Sequence, residues 1–176
     1  MPDVNPVGDL VLSDPEAMRA LADPARLALL DRLRRQGPST AIELGDAATI
    51  EDLRELEQFG LVERGDGDRW SAVAKGFVFE IPNDPEGEAA GRQLSKAMLL
   101  HYADLPRRWV ADDEPELELE WVRAAGLLNA RVEVTSEELR HLQEGLERLL
   151  EPFITRESGD VPAEARRVRI LSYFLP

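Results

Sequence analysis

The chain has 176 residues, 35 of them acidic and 21 basic, which gives a formal net charge of −14 at pH 7. That length can bury a core in one domain or in two small ones, and a hydrophobic share of 43% does not favour disorder outside the termini. There is no cysteine, which excludes disulfides and thiolate metal sites. Without a membrane-length apolar run or an N-terminal signal pattern, we expect a cytoplasmic protein with no membrane partner.

The N-terminal segment divides into an arm and a helix start. Residues 1–12 contain proline, aspartate and glycine without periodicity, and we expect a flexible arm there. Ser13 and Glu16 have the spacing of a capping box, so a first helix is predicted to begin at this point and to carry Met18.

Residues 21–60 have the pattern of three helices. Asp23 can cap a helix that begins at Pro24, and Gly37 with Pro38 ends it. Ser39 or Thr40 can start a short second helix that runs through Leu44. Thr49 can cap a third helix. One face of that third helix is apolar, and it consists of Ile50, Leu53, Leu56 and Phe59.

A hairpin follows the third helix. Residues 61–64 and 69–73 are strand-like and flank Gly65-Asp66-Gly67-Asp68, a turn sequence. Three helices closed by a two-stranded wing predict a winged helix-turn-helix domain over residues 13–81. The linker is predicted at residues 82–85.

Residues 86–176 are predicted to form a second region. A long helix should run from 86 to about 110, with an interruption near Ala103 caused by Pro106. Residues 117–121 suit a strand or a helical turn, residues 128–134 and 167–174 suit strands, and Thr135 caps a helix between the last two. The predicted fold class is therefore α+β, mainly α, with a long helix and a strand-helix-strand extension after the winged helix.

The sequence contains few candidate catalytic or metal-binding residues. His101 lies one helical turn from Asp104, and His141 lies one turn from Glu137, spacings that can ligate a metal but more often belong to packed or solvated side chains. There is no nucleophile elbow and no glycine-rich phosphate loop. We expect no enzyme activity, no catalytic residues, no metal and no cofactor.

The sequence resembles the ArsR-like winged helix-turn-helix regulators of bacteria, in particular a high-GC subgroup with a long C-terminal extension. The matching segments are residues 21–27, 37–40, 43–44, 53–56 and 59–63. The resemblance implies a homodimeric transcriptional regulator that binds operator DNA, with residues 86–176 as the dimerisation and regulatory region. Trp109, Trp121, Tyr102 and Met98 could line a pocket for a small-molecule effector between the dimer helices. The alternative, which their helical spacing favours, is that these side chains form core.

The resemblance also places the site residues. The expected DNA contacts are Thr49, Arg54, Gln58, Arg64, Arg69 and Trp70. Of these, Arg54 or Gln58 would read base edges, and the arginines of the wing would hold phosphates. In the alternative, Arg54 pairs with neighbouring glutamates, and Arg69 pairs with Asp66 or Asp68. The expected dimer interface is an apolar set made of Met18, Leu94, Met98, Tyr102, Leu105 and Trp109.

One departure from the family bears on function. The stretch between the second helix and the end of the third is shorter than in most members, and its outward residues are net acidic. Residues 13–80 contain 14 acidic and 9 basic side chains, which works against phosphate binding. The alternative function is therefore a degenerate winged helix whose acidic third helix binds a protein, for example another regulator.

Overall fold

The computed structural model describes residues 4–5, 8–45 and 49–176 and divides the chain into two compact units. Unit 1 spans Met1–Ala125 and unit 2 spans Gly126–Pro176. The division does not coincide with the linker expected at residues 82–85, because the long helix after it packs into unit 1. The fold is mixed α and β and mainly helical. No helix in the described part of the chain combines the length and apolar character needed to cross a bilayer.

Unit 1 contains four strands and six helices among its described residues. In chain order they are β1 Asp9–Leu12, α1 Pro15–Leu21, α2 Pro24–Gln36, α3 Ile50–Gln58, β2 Val62–Arg64, β3 Trp70–Ala72, β4 Gly76–Phe79, α4 Pro85–Tyr102, α5 Leu105–Arg108 and α6 Leu119–Ala124. A short 3₁₀ turn lies at Asp66–Asp68, a π-helical turn at Trp109–Asp113, and a second 3₁₀ turn at Glu114–Glu116.

Local capping explains where the first helices begin. Asp14, rather than Ser13, caps α1, and its carboxylate accepts a hydrogen bond from the Glu16 N–H at 2.8 Å. Asp23 caps α2 as predicted, and Pro24 occupies the first helical position, where a missing N–H has no cost. At the other end of α2, Gly37 adopts φ +80°, a conformation that glycine tolerates and that stops the helix.

The expected second helix is reduced to one turn. Thr40 and Glu43 form the reciprocal bonds of a capping box, with the Thr40 N–H donating to Glu43 at 2.8 Å and the Glu43 N–H donating to Thr40 at 3.2 Å. Residues 41–44 then form a turn that places Leu44 in the core, where Arg32 donates to its carbonyl. The next part of the shortened stretch, residues 46–48, lies outside the described residues.

The N-terminal segment is not simply an arm. Residues 9–12 form β1, which pairs in parallel with β4 and buries Leu10 and Leu12. The prediction of a flexible arm over residues 1–12 was wrong for this part, because alternate side chains of β1 enter the core. Residues 1–3 and 6–7 of the expected arm lie outside the described residues.

The hydrophobic core of unit 1 joins α1, α2, α3 and α4. Its most deeply buried side chains are Met18, Leu21, Leu27, Leu30, Leu33, Leu44, Leu53, Leu56, Leu61 and Leu94. The long helix contributes through Ala90 and Leu94, and it ends at Tyr102 before Pro106, so the predicted interruption is confirmed.

Two predicted strands are absent from the described residues. Residues 128–134 and 167–174 form no strand, whereas the stretch 117–121, which suited a strand or a helical turn, leads into the helix α6. The two strand predictions were wrong for the structure of a single chain, because a strand needs a hydrogen-bonded neighbour and no described segment pairs with either stretch. The helix between them, α7 at Ser136–Ile154, begins with the predicted capping box of Thr135 and Glu138.

Candidate nucleic-acid interface

Helix α3 is attached to the core by one face. Thr49 caps it as predicted and accepts a hydrogen bond from the Asp52 N–H at 3.0 Å. Leu53 and Leu56 are fully buried, and Phe59 is partly buried after the helix ends. Ile50, expected on the same face, is 55% exposed, because the first turn of the helix projects beyond the core.

The opposite face of α3 is in solvent and carries mixed charge. Glu51, Arg54, Glu57 and Gln58 are all exposed. Arg54 makes no hydrogen bond or ion pair with any residue that the structure describes, so the expected alternative of pairing with a neighbouring glutamate is not formed. Of the expected DNA contacts on α3, Arg54 and Gln58 are therefore accessible, whereas the Thr49 hydroxyl is engaged in capping.

Arg26 holds α3 against the rest of the unit. Its guanidinium lies 2.9 Å from a Glu55 carboxylate oxygen and 3.5 Å from an Asp52 carboxylate oxygen, and it donates to the Ala20 carbonyl at 2.5 Å. The side chain is 17% exposed. One arginine on α2 thus connects α1 with two acidic residues of α3. This role of Arg26 was not predicted from the sequence. The signal available was a cation in the first turn of α2, where the helix dipole disfavours positive charge.

The wing arginines are held by carboxylates. Arg64 lies 2.6 Å from Asp68 and over the ring of Trp70, with 5.7 Å between its guanidinium carbon and the ring centroid. Arg69 donates to the Pro38 carbonyl at 2.5 Å and lies 3.2 Å from Glu43. Both arginine side chains are 46% exposed. The predicted alternative of an ion pair across the turn is therefore realised, but by Arg64 rather than by Arg69.

The Arg69 contact fastens the wing to the helical turn before α3. A hydrogen bond from the Thr40 N–H, together with the nearby Arg69 guanidinium, lowers the pKa of Glu43 below its ordinary value. The Glu43 carboxylate is therefore ionised at neutral pH and available to Arg69. This contact places the β2–β3 hairpin beside the turn that leads to α3.

Trp70 was wrongly expected at the surface. Its side chain is 3% exposed and belongs to the core. Its backbone exchanges hydrogen bonds with Ser39, at 2.8 Å and 2.9 Å, as an isolated antiparallel bridge. Because side chains alternate along a strand, Arg69 faces solvent while Trp70 faces inward, and Trp70 anchors the hairpin rather than contacting a ligand.

Two of the expected dimer contacts lie in the core of a single chain. Met18 and Leu94 have 0% exposure, because α1 packs directly against α4, so neither side chain is available to a second chain in this structure. Met98 is partly buried against the same core. The last three members of the set are partly exposed, and they are Tyr102, Leu105 and Trp109.

The histidine on α4 lies beside an aspartate of α2 rather than pairing with Asp104, the neighbour whose spacing suggested a metal site. His101 lies 3.7 Å from Asp31, which also pairs with Arg35 at 3.4 Å. Asp31 is 9% exposed, so this cluster joins α2 to the end of α4 at the edge of the core. Among the described residues, no three His, Asp or Glu side chains form a group that could hold a metal ion.

Two shallow cavities adjoin Phe59. One, of about 310 Å³, lies between α1 and α3 and includes Arg19 and Arg26 in its lining. The other, of about 300 Å³, lies beside β1. Both open widely to solvent, and neither includes Trp109 or Trp121, the residues considered for an effector pocket.

These contacts define a mixed α and β protein in which an outward helix stands beside a hairpin. Comparison of the chain with models of protein families, with curated proteins and with solved structures finds no match.

Proposed function

We propose that this protein is a DNA-binding transcriptional regulator of the winged helix-turn-helix type, similar to the ArsR-like bacterial regulators, and that it acts in the cytoplasm as a homodimer. The observation that carries the proposal is the placement of α3. Its apolar side is buried, its opposite face with Arg54 and Gln58 is open, and the hairpin stands on the same unit. A helix presented in this way can enter a major groove while the wing meets the neighbouring phosphates.

The order of elements supports the same proposal. α1 and α2 precede a single helical turn, α3 and then a hairpin, and the Ser39–Trp70 bridge closes that hairpin onto the segment after α2. The cations on α3 and the β2–β3 hairpin are Arg54, Arg64 and Arg69, and the last two must leave or share a carboxylate partner to reach a phosphate. DNA affinity should therefore be modest.

A salt titration of DNA binding tests the proposal. We expect the full chain to bind a labelled duplex from the region upstream of its own gene, measured by fluorescence anisotropy. A dimer with two or three phosphate contacts from each copy should give a slope of about −4 to −5 when the logarithm of the binding constant is plotted against that of the salt concentration. This slope corresponds to roughly a 100- to 1,000-fold loss of affinity between about 50 mM and about 200 mM salt.

Matched arginine variants locate the contact. Arg54→Ala should weaken binding, whereas Arg92→Ala, on an exposed arginine of α4 that pairs with Glu88, should not. No binding at the lower salt concentration, or equal effects of the two variants, would refute the proposed interface.

A second candidate function is protein binding through α3. It is favoured by the pairing of both wing arginines with carboxylates, which leaves the exposed acids Glu51 and Glu57 on either side of Arg54. The partner would present a basic surface, such as the DNA-binding surface of another regulator. In this case Glu51→Lys with Glu57→Lys should abolish the complex. If the protein binds DNA, the same double variant should instead strengthen binding.

A further inference from the structure

Unit 2 has an amphipathic sequence but no core. The structure describes all of residues 126–176 except the side chain of Ser158, and no described side chain there is buried. Twelve of the twenty large apolar side chains that are exposed in the described chain lie in these 51 residues. A soluble domain does not normally leave so much apolar surface in water. The exposed apolar side chains of unit 2 are those expected of one side of a protein–protein interface.

Helix α7 provides the largest uncovered face. Leu142, Leu149 and Phe153 recur at helical spacing and are 48%, 72% and 66% exposed. Residues 128–134 and 167–174 flank the helix and alternate apolar with polar side chains, and Leu128, Val168 and Ile170 are each more than half exposed. Neither flanking segment has a strand partner among the described residues. A partner that covers this helix face and pairs with the flanking segments as strands would bury both sets of apolar side chains.

The amount of surface fits a protein interface. A large apolar side chain about two-thirds exposed presents roughly 100 Å², so the twelve together present on the order of 1,000 Å². A stable interface of ordinary size buries about 800 Å² from each partner. The exposed apolar surface of unit 2 is thus similar in size to the surface that one protomer contributes to such an interface.

The charges of unit 2 are self-complementary. Helix α7 contains five acidic and two basic residues, a net charge of −3. Residues 165–176 contain three arginines and no acidic side chain, a net charge of +3. A two-fold interface brings the same patch of both chains together, so a patch with both signs can pair the tail of one copy with the helix of the other.

We propose that unit 2 is a dimerisation element whose occupant is unit 2 of a second copy of this chain. In the dimer, the α7 faces of the two copies pack against each other, and residues 128–134 or 167–174 of one copy pair as strands with the corresponding region of the other. This inference rests on the homodimer of the proposed function and identifies the surface through which its two copies meet. It replaces the expected seam along α4, of which Leu94 is buried within one chain.

The test compares two matched leucines in the full-length protein. Leu149 on α7 and Leu100 on α4 are 72% and 67% exposed, and both are changed to glutamate. Mass is measured by light scattering after size exclusion, and the dimer dissociation constant by sedimentation. We expect the wild type at twice 19.7 kDa. Leu149→Glu should raise the dissociation constant about 30-fold or more, and Leu100→Glu should leave it unchanged.

Several results would overturn the inference. A monomeric wild type would contradict the proposed dimer, and dissociation by Leu100→Glu alone would place the interface on α4. A dimer that survives both Leu149→Glu and Phe153→Glu would also contradict it. If Leu149→Glu aggregates, Leu149→Gln is measured in its place, with the same predicted dissociation. A dimer of the predicted kind that binds no DNA would refute the proposed function and leave this inference standing.

Discussion

Replacing Arg26 should destabilise unit 1 by a measurable amount, because this side chain is the ionic connection between α2 and α3. In Arg26→Met the aliphatic part of the side chain is kept and the guanidinium is removed. Asp52 and Glu55 then lose a cation at 3.5 Å and 2.9 Å, and the Ala20 carbonyl loses its donor. Any loss of stability therefore reports the charge and its hydrogen bonds rather than lost packing.

The size of the effect follows from burial. An exposed ion pair contributes about 0–1 kcal/mol, and removal of one partner from a buried pair costs about 3–5 kcal/mol. Arg26 and Asp52 are 17% and 19% exposed, and Glu55 is 40% exposed, so the site lies between these limits. We expect a loss of about 2 kcal/mol, which for a unit of this size lowers Tm by roughly 6–10 °C.

Urea unfolding followed by far-ultraviolet circular dichroism measures this loss. The matched control is Arg54→Met, whose arginine is exposed and has no partner among the described residues, and which should change stability by less than about 0.5 kcal/mol. In a double-mutant cycle, Arg26→Met and Glu55→Gln should couple by about 1 kcal/mol. Equal midpoints for the Arg26 and Arg54 variants, or strictly additive effects in the cycle, would refute the role assigned to Arg26.

Three further perturbations test the packing and the electrostatics of unit 1, and a fourth, on α7 of unit 2, serves as the control for the first. Gly87→Ala should destabilise by about 1–3 kcal/mol, because its Cβ would lie 2.6 Å from the rigid ring of Pro82. Gly145→Ala, where the added Cβ would have its nearest contact at 4.0 Å, should instead stabilise α7 by up to about 1 kcal/mol. Thermal unfolding measures both glycine variants. Trp70→Ala should cost about 3–5 kcal/mol in urea unfolding, and a value below 1 kcal/mol would show that the hairpin is not anchored there. Burial raises the pKa of Asp9 above its ordinary value of 3.8, against the opposing influence of Arg34. The native state then binds the Asp9 proton more tightly, so stability falls as the pH rises from 3.8 through the raised value. Asp9→Asn removes this fall. The urea midpoint of the variant should therefore increase relative to that of the wild type as the pH rises from acid to neutral.

The sequence predicted most reliably the features that depend on neighbouring residues. The caps at Asp23, Thr49 and Thr135 each involve a side chain and an N–H two or three positions away, and all three are present. The break before Pro106 is equally local. These features could be predicted because the physical cause and its effect lie within one helical turn.

The missed features depend on residues far apart in the chain. The pairing of β1 with β4 joins Leu10 to Phe77, and nothing near Leu10 indicates its partner. The role of Arg26 requires α3 to fold back beside α2, which brings Glu55 to it from 29 positions away. The inward position of Trp70 could have been predicted, because a strand that points Arg69 outward must point the next residue inward.

The position of Arg26 also changes the charge argument against DNA binding. Helix α3 carries four acidic residues and one basic residue, but Arg26 draws Asp52 and Glu55 toward α2 and offsets one of their charges. The face that a duplex would meet then carries Glu51, Glu57 and Arg54, a net charge of −1 rather than −3. Loss of Arg26 should therefore weaken DNA binding as well as folding, although Arg26 need not contact a phosphate. We expect Arg26→Met to reduce the affinity for DNA by a similar factor at each salt concentration, with the salt slope close to that of the wild type, because no phosphate contact is removed. A reduced slope would mean that Arg26 itself meets the DNA, and an unchanged affinity would mean that the charge of α3 does not govern binding.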